Sequence, residues 1–72
     1  MKTVKTKLGN KSHFETFLLE NYIELEEYCS MSDGTDLWQI IINNYEALNK
    51  VKELEYVMSV EDTAYYSPSQ SL

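Results

Sequence analysis

One uninterrupted run of residues constrains the fold of this chain more than any other feature. Residues 36–59, DLWQIIINNYEALNKVKELEYVMS, contain no glycine or proline, and large apolar side chains recur every three or four positions. This spacing keeps side chains on one side of a helix with about 3.6 residues per turn. We therefore predict one long amphipathic helix over residues 36–59. The residues of its buried stripe are Leu37, Ile41, Tyr45, Leu48, Val51, Leu54 and Met58.

The start of this helix is well marked, but its first third is ambiguous. A turn can form before it, and Thr35 or Asp36 can accept a hydrogen bond from the unpaired amides of the first helical turn. Three β-branched isoleucines are followed by Asn43 and Asn44, which are poor helix formers. A strand over residues 38–42 is therefore the competing prediction. We favour the helix because the apolar stripe continues in phase beyond the asparagines.

A second amphipathic helix is predicted over residues 13–30. Ser12 followed by Glu15 is the pattern of a capping box, in which each side chain satisfies a backbone amide at the helix start. The connection of residues 31–35 is short, so the helices 13–30 and 36–59 should pack antiparallel. The predicted fold class is all-α, an antiparallel two-helix hairpin. The core candidates of the first helix are Phe14, Phe17, Leu18, Leu25, Tyr28 and Cys29.

The segments outside the hairpin are short. Residues 1–11 contain four lysines and read as a basic arm or an edge strand, whereas residues 12–60 form the helical hairpin domain. Residues 61–72 contain serines and the only proline, which is typical of a flexible tail. The alternative fold class is a small α+β protein in which residues 4–8 pair with a strand near Tyr65.

A chain of 72 residues needs support that a small core supplies poorly, because such a chain buries only about 60% of the surface exposed on unfolding. Cys29 is the only cysteine and His13 the only histidine. These counts exclude an intrachain disulfide and a zinc site with its usual ligands. Association therefore remains, and we expect a homodimer.

No catalytic, cofactor or metal site is predicted from the residues present. On one helix Cys29 and His13 would lie roughly 24 Å apart, too far to act together. The carboxylates do not follow the spacing of a calcium-binding loop, and the two glycines do not form a phosphate-binding loop. We therefore expect a protein that is not an enzyme and holds no cofactor.

Composition suggests where such a protein acts. The sequence contains neither an apolar run long enough to span a membrane nor a signal peptide, so we expect a soluble cytoplasmic protein without membrane contact. All six basic residues are lysine, and asparagine, isoleucine and tyrosine are frequent. AT-rich coding produces this bias, which favours a low-GC bacterium, its phages or its mobile elements.

The charge is unevenly distributed along the chain. The net charge is −6, but Lys2, Lys5, Lys7 and Lys11 all precede the first acid, so the remaining residues carry all twelve carboxylates. A body of that sign is repelled by nucleic-acid phosphates and attracted to basic protein surfaces. We expect a protein partner with a basic surface, and direct nucleic-acid binding through the lysine arm is disfavoured.

Two groups of residues are candidates for contacting that partner. Glu20, Glu24 and Glu27 follow i, i+4, i+7 spacing and would form one acidic flank of the first helix. Leu19 and Ile23 lie outside the main apolar stripe, between acidic residues. A second, narrow apolar patch of this kind indicates contact with something other than the second helix.

The second helix offers a further candidate surface. Trp38, Ile42 and Tyr45 would lie to one side of its buried stripe. Tryptophan and tyrosine dominate the energetics of many interfaces, so these side chains are predicted to anchor a partner. The alternative is that they complete the core or a homodimer seam.

These observations favour a binding function. Our hypothesis is a small acidic protein that binds and inhibits another protein, with carboxylates imitating phosphates in the groove of a host nucleic-acid-binding protein. A phage or mobile-element factor that antagonises host defence would fit this description. The alternative is a small helical structural or regulatory subunit whose acidic surface is only solubilising.

Overall fold

The computed structural model describes residues 1–63 and has an α+β fold. The elements are β1 (Lys2–Lys7), α1 (Lys11–Glu20), β2 (Glu24–Ser30), β3 (Thr35–Ile41), α2 (Tyr45–Glu53) and β4 (Val57–Asp62). The predicted all-α helical hairpin is therefore wrong, and so is the description of the chain as helical. The observed class is the one that the sequence analysis held as its alternative.

The four strands form one antiparallel sheet in the order β2-β3-β1-β4. Residue Val4 of β1 lies opposite Trp38 on one side and Val60 on the other. Each helix therefore connects two parallel strands that have a third strand between them, which is the split β-α-β connectivity of ferredoxin-like folds. Residues 2–7 form a central strand and not an arm or an edge, and Tyr65 lies outside the described residues.

Both helices pack on the same face of this sheet. Along β1 and β3 alternate side chains point to that face, as the pleat of a strand requires. The buried apolar core consists of Val4, Phe14, Leu18, Ile23, Trp38, Ile40 and Val51. The sheet contributes Val4, Trp38 and Ile40, and Val51 is the contribution of α2. Within residues 1–63 no element covers the opposite face, which we call the open face.

The core also contains two polar pairs. The indole Nε1 of Trp38 donates a hydrogen bond to Thr6 Oγ1 at 2.9 Å, and both residues are fully buried. The Tyr28 hydroxyl donates to the buried carboxylate of Asp36 at 2.9 Å. Desolvation, together with that carboxylate, raises the pKa of Tyr28. These pairs satisfy polar atoms that burial would otherwise make costly.

The prediction of a helix over residues 13–30 is wrong beyond Glu20. Tyr22 adopts a left-handed backbone with φ of 56°, and the amides of Tyr22 and Ile23 donate to the carbonyls of Leu19 and Leu18. This is a Schellman motif, a common way to end a helix. Glycine usually occupies the left-handed position, so a tyrosine there removed the usual stop signal. The predicted capping box is also wrong, because α1 begins before Ser12 and the side chain of its N-cap residue, Asn10, makes no capping hydrogen bond to the helix.

The prediction of a helix over residues 36–59 is wrong as well. The run divides into β3, a short loop, α2 and β4. Asn44 ends the loop, and its side chain accepts a hydrogen bond from the backbone N–H of Glu46 at 2.7 Å. That cap starts α2 in the middle of the supposed helix. Leu37 and Ile41, placed in the predicted buried stripe, instead lie in β3 on the open face.

Candidate functional site

Four exposed carboxylates lie where α1 ends and β2 begins. The edge strand β2 carries Glu24, Glu26 and Glu27, all exposed, and Glu20 is the last residue of α1. We call these four residues the acidic corner. Glu20 precedes the turn and Glu24 follows it, so the corner combines one helix end with one sheet edge.

A β-bulge determines how the carboxylates of β2 are presented. Leu25 lies opposite Ile40 and Glu27 opposite Gln39, so Glu26 is an extra residue in the strand. Without the bulge, residues 24 and 27 would point to opposite faces of the sheet. With it, Glu24 and Glu27 both pair with residues of β3 that lie on the open face.

Three of the six lysines are paired with acids outside the corner. Three ion pairs occur in the part of the chain that the structure describes, and none involves the acidic corner; they join Lys2 to Asp62, Lys5 to Asp33 at 3.7 Å, and Lys11 to Glu15 at 3.8 Å. A hydrogen bond from the Thr35 hydroxyl, with help from Lys5, lowers the pKa of Asp33. Lys2 likewise lowers the pKa of Asp62. The carboxylates of the corner are therefore left without a neutralising lysine.

An apolar cleft of about 280 Å³ adjoins the acidic corner. It lies between the end of α1 and the start of β2, and we call it the α1–β2 cleft. Its lining residues are Glu15, Leu18, Leu19, Ile23, Glu24 and Leu25. Leu19 is 78% exposed and Leu25 38% exposed, whereas Ile23 is buried at the floor. The Schellman turn creates this arrangement because it folds Ile23 back toward Leu18.

A second cleft, of about 220 Å³, lies at the start of α2. It is lined by Ile42, Tyr45 and Leu48 together with Lys2 and the two asparagines of the loop. Tyr45 is 84% exposed. Lys2 already pairs with Asp62, so this cleft differs from the first in having a cation in its wall and no carboxylate.

No protein-family model, curated protein or solved structure matches this chain. The fold alone does not imply a function, because one fold supports many. The function must therefore be inferred from the surfaces of the molecule.

The structure brings together three of the eight residues predicted to contact a partner. Leu19, Ile23 and Glu24 meet at the α1–β2 cleft, although they do so through a helix end and a strand and not through one helix face. Glu20 is the last residue of α1 and does not line the cleft. Glu27 lies farther along β2, beside a shallow depression of the open face. Some of the predicted residues are therefore still close together, but because α1 ends next to the start of β2 and not because they share one helix face.

Of the other three predicted residues, two stay together and one is separated from them. Ile42 and Tyr45 line the second cleft. Trp38 lies in the core with no exposed surface, packed at 4.9 Å from the ring of Phe14 and 4.5 Å from that of Tyr28. The side of a second helix that would have joined these three residues does not exist, since residues 35–41 are a strand.

Sequence reasoning missed Leu25, Glu26 and Tyr22 as surface residues of this site. Leu25 was assigned to the helix core, and Glu26 was not among the predicted partner-binding residues. Tyr22 is 97% exposed at the turn beside the cleft. The available signal was Asn21, a residue that favours turns, whose side chain donates to the carbonyl of Phe17 at 2.9 Å.

Other chemistry finds little support in the described residues. Residues 1–63 contain no group of three or more histidine, cysteine, aspartate or glutamate residues that could hold a metal ion. Cys29 is exposed on β2, and His13 is exposed on α1. None of the helices over this range is both long enough and apolar enough to cross a membrane.

Proposed function

We propose that this protein binds a basic surface of another protein and inhibits it, with the acidic corner occupying the place of nucleic-acid phosphates. The observation that carries the proposal is the segregation of charge. Glu20, Glu24, Glu26 and Glu27 follow one another from the end of α1 into β2 without an ion pair among residues 1–63, while Lys2, Lys5 and Lys11 pair with other acids. Charges left unpaired on one surface favour a partner of opposite sign.

The extended geometry of β2 supports phosphate mimicry. A strand advances about 3.3 Å per residue. One strand of a DNA duplex places one phosphate per about 3.4 Å of helix axis. Three carboxylates within residues 24–27 therefore give a linear charge density similar to that of a nucleic-acid strand. A helix face with one glutamate per turn would be less dense.

Direct nucleic-acid binding by this protein is less well supported. Four-stranded sheets that bind RNA stack bases on aromatic rings of the open face. The described part of that face has no aromatic ring on its two central strands, where Thr3, Lys5, Leu37 and Gln39 lie. Lys5 is also engaged with Asp33.

The remaining features of the proposal concern setting and assembly. The cytoplasm is the proposed place of action, because nucleic-acid-binding targets are abundant there, and a phage or mobile-element origin is consistent with the composition. A homodimer stays a prediction. It rests on the small size of the chain, although Phe14, Trp38 and Val51 are already fully buried within one chain.

The proposal is tested with two variants that change the net charge equally. In the corner variant, Glu20, Glu24 and Glu27 are replaced by glutamine. In the α2-side variant, glutamine replaces three exposed residues in or next to α2, namely Glu46, Glu53 and Glu55. Immobilised wild-type protein captures targets from a low-GC bacterial lysate, which are eluted with stepwise salt. A captured nucleic-acid-binding protein is then assayed for DNA and RNA binding in the presence of each variant.

We expect the wild type and the α2-side variant to inhibit nucleic-acid binding, with inhibition that weakens steeply as salt increases. The corner variant should be roughly ten- to a hundredfold weaker, since three ion pairs contribute up to about 1 kcal/mol each. An equal loss of inhibition in both variants would show that inhibition depends on net charge and not on the acidic corner. Unchanged inhibition by the corner variant would instead support the alternative of a structural or regulatory subunit whose acids only protect an edge strand and keep it soluble.

A further inference from the structure

We infer that the α1–β2 cleft binds one large apolar side chain from a lysine- or arginine-rich segment of the target protein. This inference rests on the proposed function and names how the acidic corner recognises its partner. Glu24 belongs both to the acidic corner and to the lining of the apolar cleft, beside Leu25. A partner that fits both must carry cations next to an apolar anchor.

The size of the cleft selects a side chain and not a small-molecule ligand. Its volume of about 280 Å³ lies below the usual range for drug-sized ligands. The floor is fixed, because Leu18 and Ile23 are buried and held by the backbone bond from the Ile23 amide to the Leu18 carbonyl at 2.9 Å. The rim is open, because Leu19 is largely exposed. An inserted side chain can therefore cover Leu19 without opening the core.

Charge decides among the kinds of partner that such a cleft could accept. A second copy of this chain would place one acidic corner against another, which is repulsive. An anionic membrane surface and a nucleic acid are disfavoured for the same reason. Of the two lining carboxylates, Glu15 has a lysine partner at 3.8 Å, so Glu24 remains for the cations of the incoming segment. Glu20, the last residue of α1, is exposed nearby in sequence.

The experiment uses the full 72-residue chain and two synthetic peptides. Both peptides are short and rich in lysine and serine; one carries a single central tryptophan and the other an alanine in its place. Binding is followed by two-dimensional NMR, which reports affinity and location together. We expect the tryptophan peptide to bind about tenfold more tightly and to shift the methyl signals of Leu19, Ile23 and Leu25.

Three variants separate the anchor from the charge. Leu19→Ala should remove the difference between the two peptides and leave the affinity of the alanine peptide unchanged. Leu8→Ala, an equally conservative change of an exposed leucine outside the cleft, should leave the difference intact. The glutamine variant of Glu20, Glu24 and Glu27 should weaken both peptides by a similar factor. Melting curves establish that each variant folds.

The outcomes distinguish the two proposals. Equal affinity for both peptides, or shifts centred on the cleft near Tyr45, would overturn the anchor site but leave the charge-driven function standing. Affinities that do not depend on the corner glutamates would overturn the proposed function itself. A dimer that forms without peptide and is lost in Leu19→Ala would assign the cleft to a second copy and overturn the inference.

Discussion

At the scale of single residues, Trp38 joins the sheet to the helices through both packing and hydrogen bonding. Its ring meets the ring of Phe14 edge-on, with centroids 4.9 Å apart, and its indole N–H reaches the hydroxyl of Thr6 on the neighbouring strand. A buried tryptophan usually needs such a partner for its N–H. Threonine at position 6 therefore serves the core in a way that a purely apolar β-branched residue would not.

The first prediction concerns that hydrogen bond. Thr6→Val keeps the shape of the side chain but leaves the indole N–H of Trp38 buried and unpaired, so we expect the free energy of unfolding to fall by about 1–3 kcal/mol. Thr6→Ser retains the hydroxyl and should recover part of this loss. Urea unfolding measures the change.

Thr16→Val is the matched control, since Thr16 is exposed on α1. It should change the free energy of unfolding by no more than about 0.5 kcal/mol. Equal effects of the two valine substitutions would show that the Trp38–Thr6 bond contributes nothing specific.

At the scale of elements, the end of α1 determines both the fold and the candidate site. Tyr22 holds the left-handed position of the Schellman motif, a conformation that costs a residue other than glycine roughly 1–2 kcal/mol. The turn is nevertheless formed, because Ile23 then reaches the core and β2 pairs with β3. Tertiary contacts thus outweigh a local strain.

The second prediction follows from this strain. Tyr22→Gly should raise the free energy of unfolding by up to about 1 kcal/mol, because the relief of strain exceeds the added entropy of the unfolded chain. Tyr45→Gly should lower it by up to about 1 kcal/mol, since Tyr45 is equally solvent-facing but begins α2. Thermal unfolding followed by circular dichroism measures both. Destabilisation by Tyr22→Gly would favour the continuous helix over residues 13–30.

At the scale of the whole molecule, the order of strands places the two ends of the described chain beside each other. β1 pairs with β3 and β4, which are distant in sequence, and Lys2 lies opposite Asp62. Such long-range pairing makes folding slower than it is for a helical hairpin. It also means that β1 has partners on both sides, whereas β2 and β4 each have a free edge within residues 1–63.

The third prediction is a pattern of amide hydrogen exchange. Amides of β1 and β3 should exchange orders of magnitude more slowly than those on the free edge of β2, because only global opening frees both sides of a central strand. Exchange followed by NMR in deuterated buffer measures this directly. Fast exchange throughout residues 2–7, typical of a loose arm, would contradict the strand order.

The sequence by itself determined the segregation of charge and one local grouping of residues. Glu20 and Glu24 stay close to Leu19 and Ile23 in any compact local conformation, because only a few residues separate them. The asparagines were already identified as poor helix formers within the predicted helix, and the helix observed there begins with Asn44 as its cap. These features depend on short-range chemistry that composition and spacing report directly.

Only the tertiary structure decided the fold class and the place of Trp38. Apolar residues spaced by three or four positions over residues 36–59 fit one helix. The same spacing is nevertheless found here in a run that forms a strand, a helix and the start of another strand. Whether residues 35–41 become a strand depends on β1, whose Val4 lies 34 positions before its partner Trp38. A pattern read within residues 35–41 carries no information about so distant a partner. Burial of Trp38, the bulge at Glu26 and the open face of the sheet all follow from this long-range pairing.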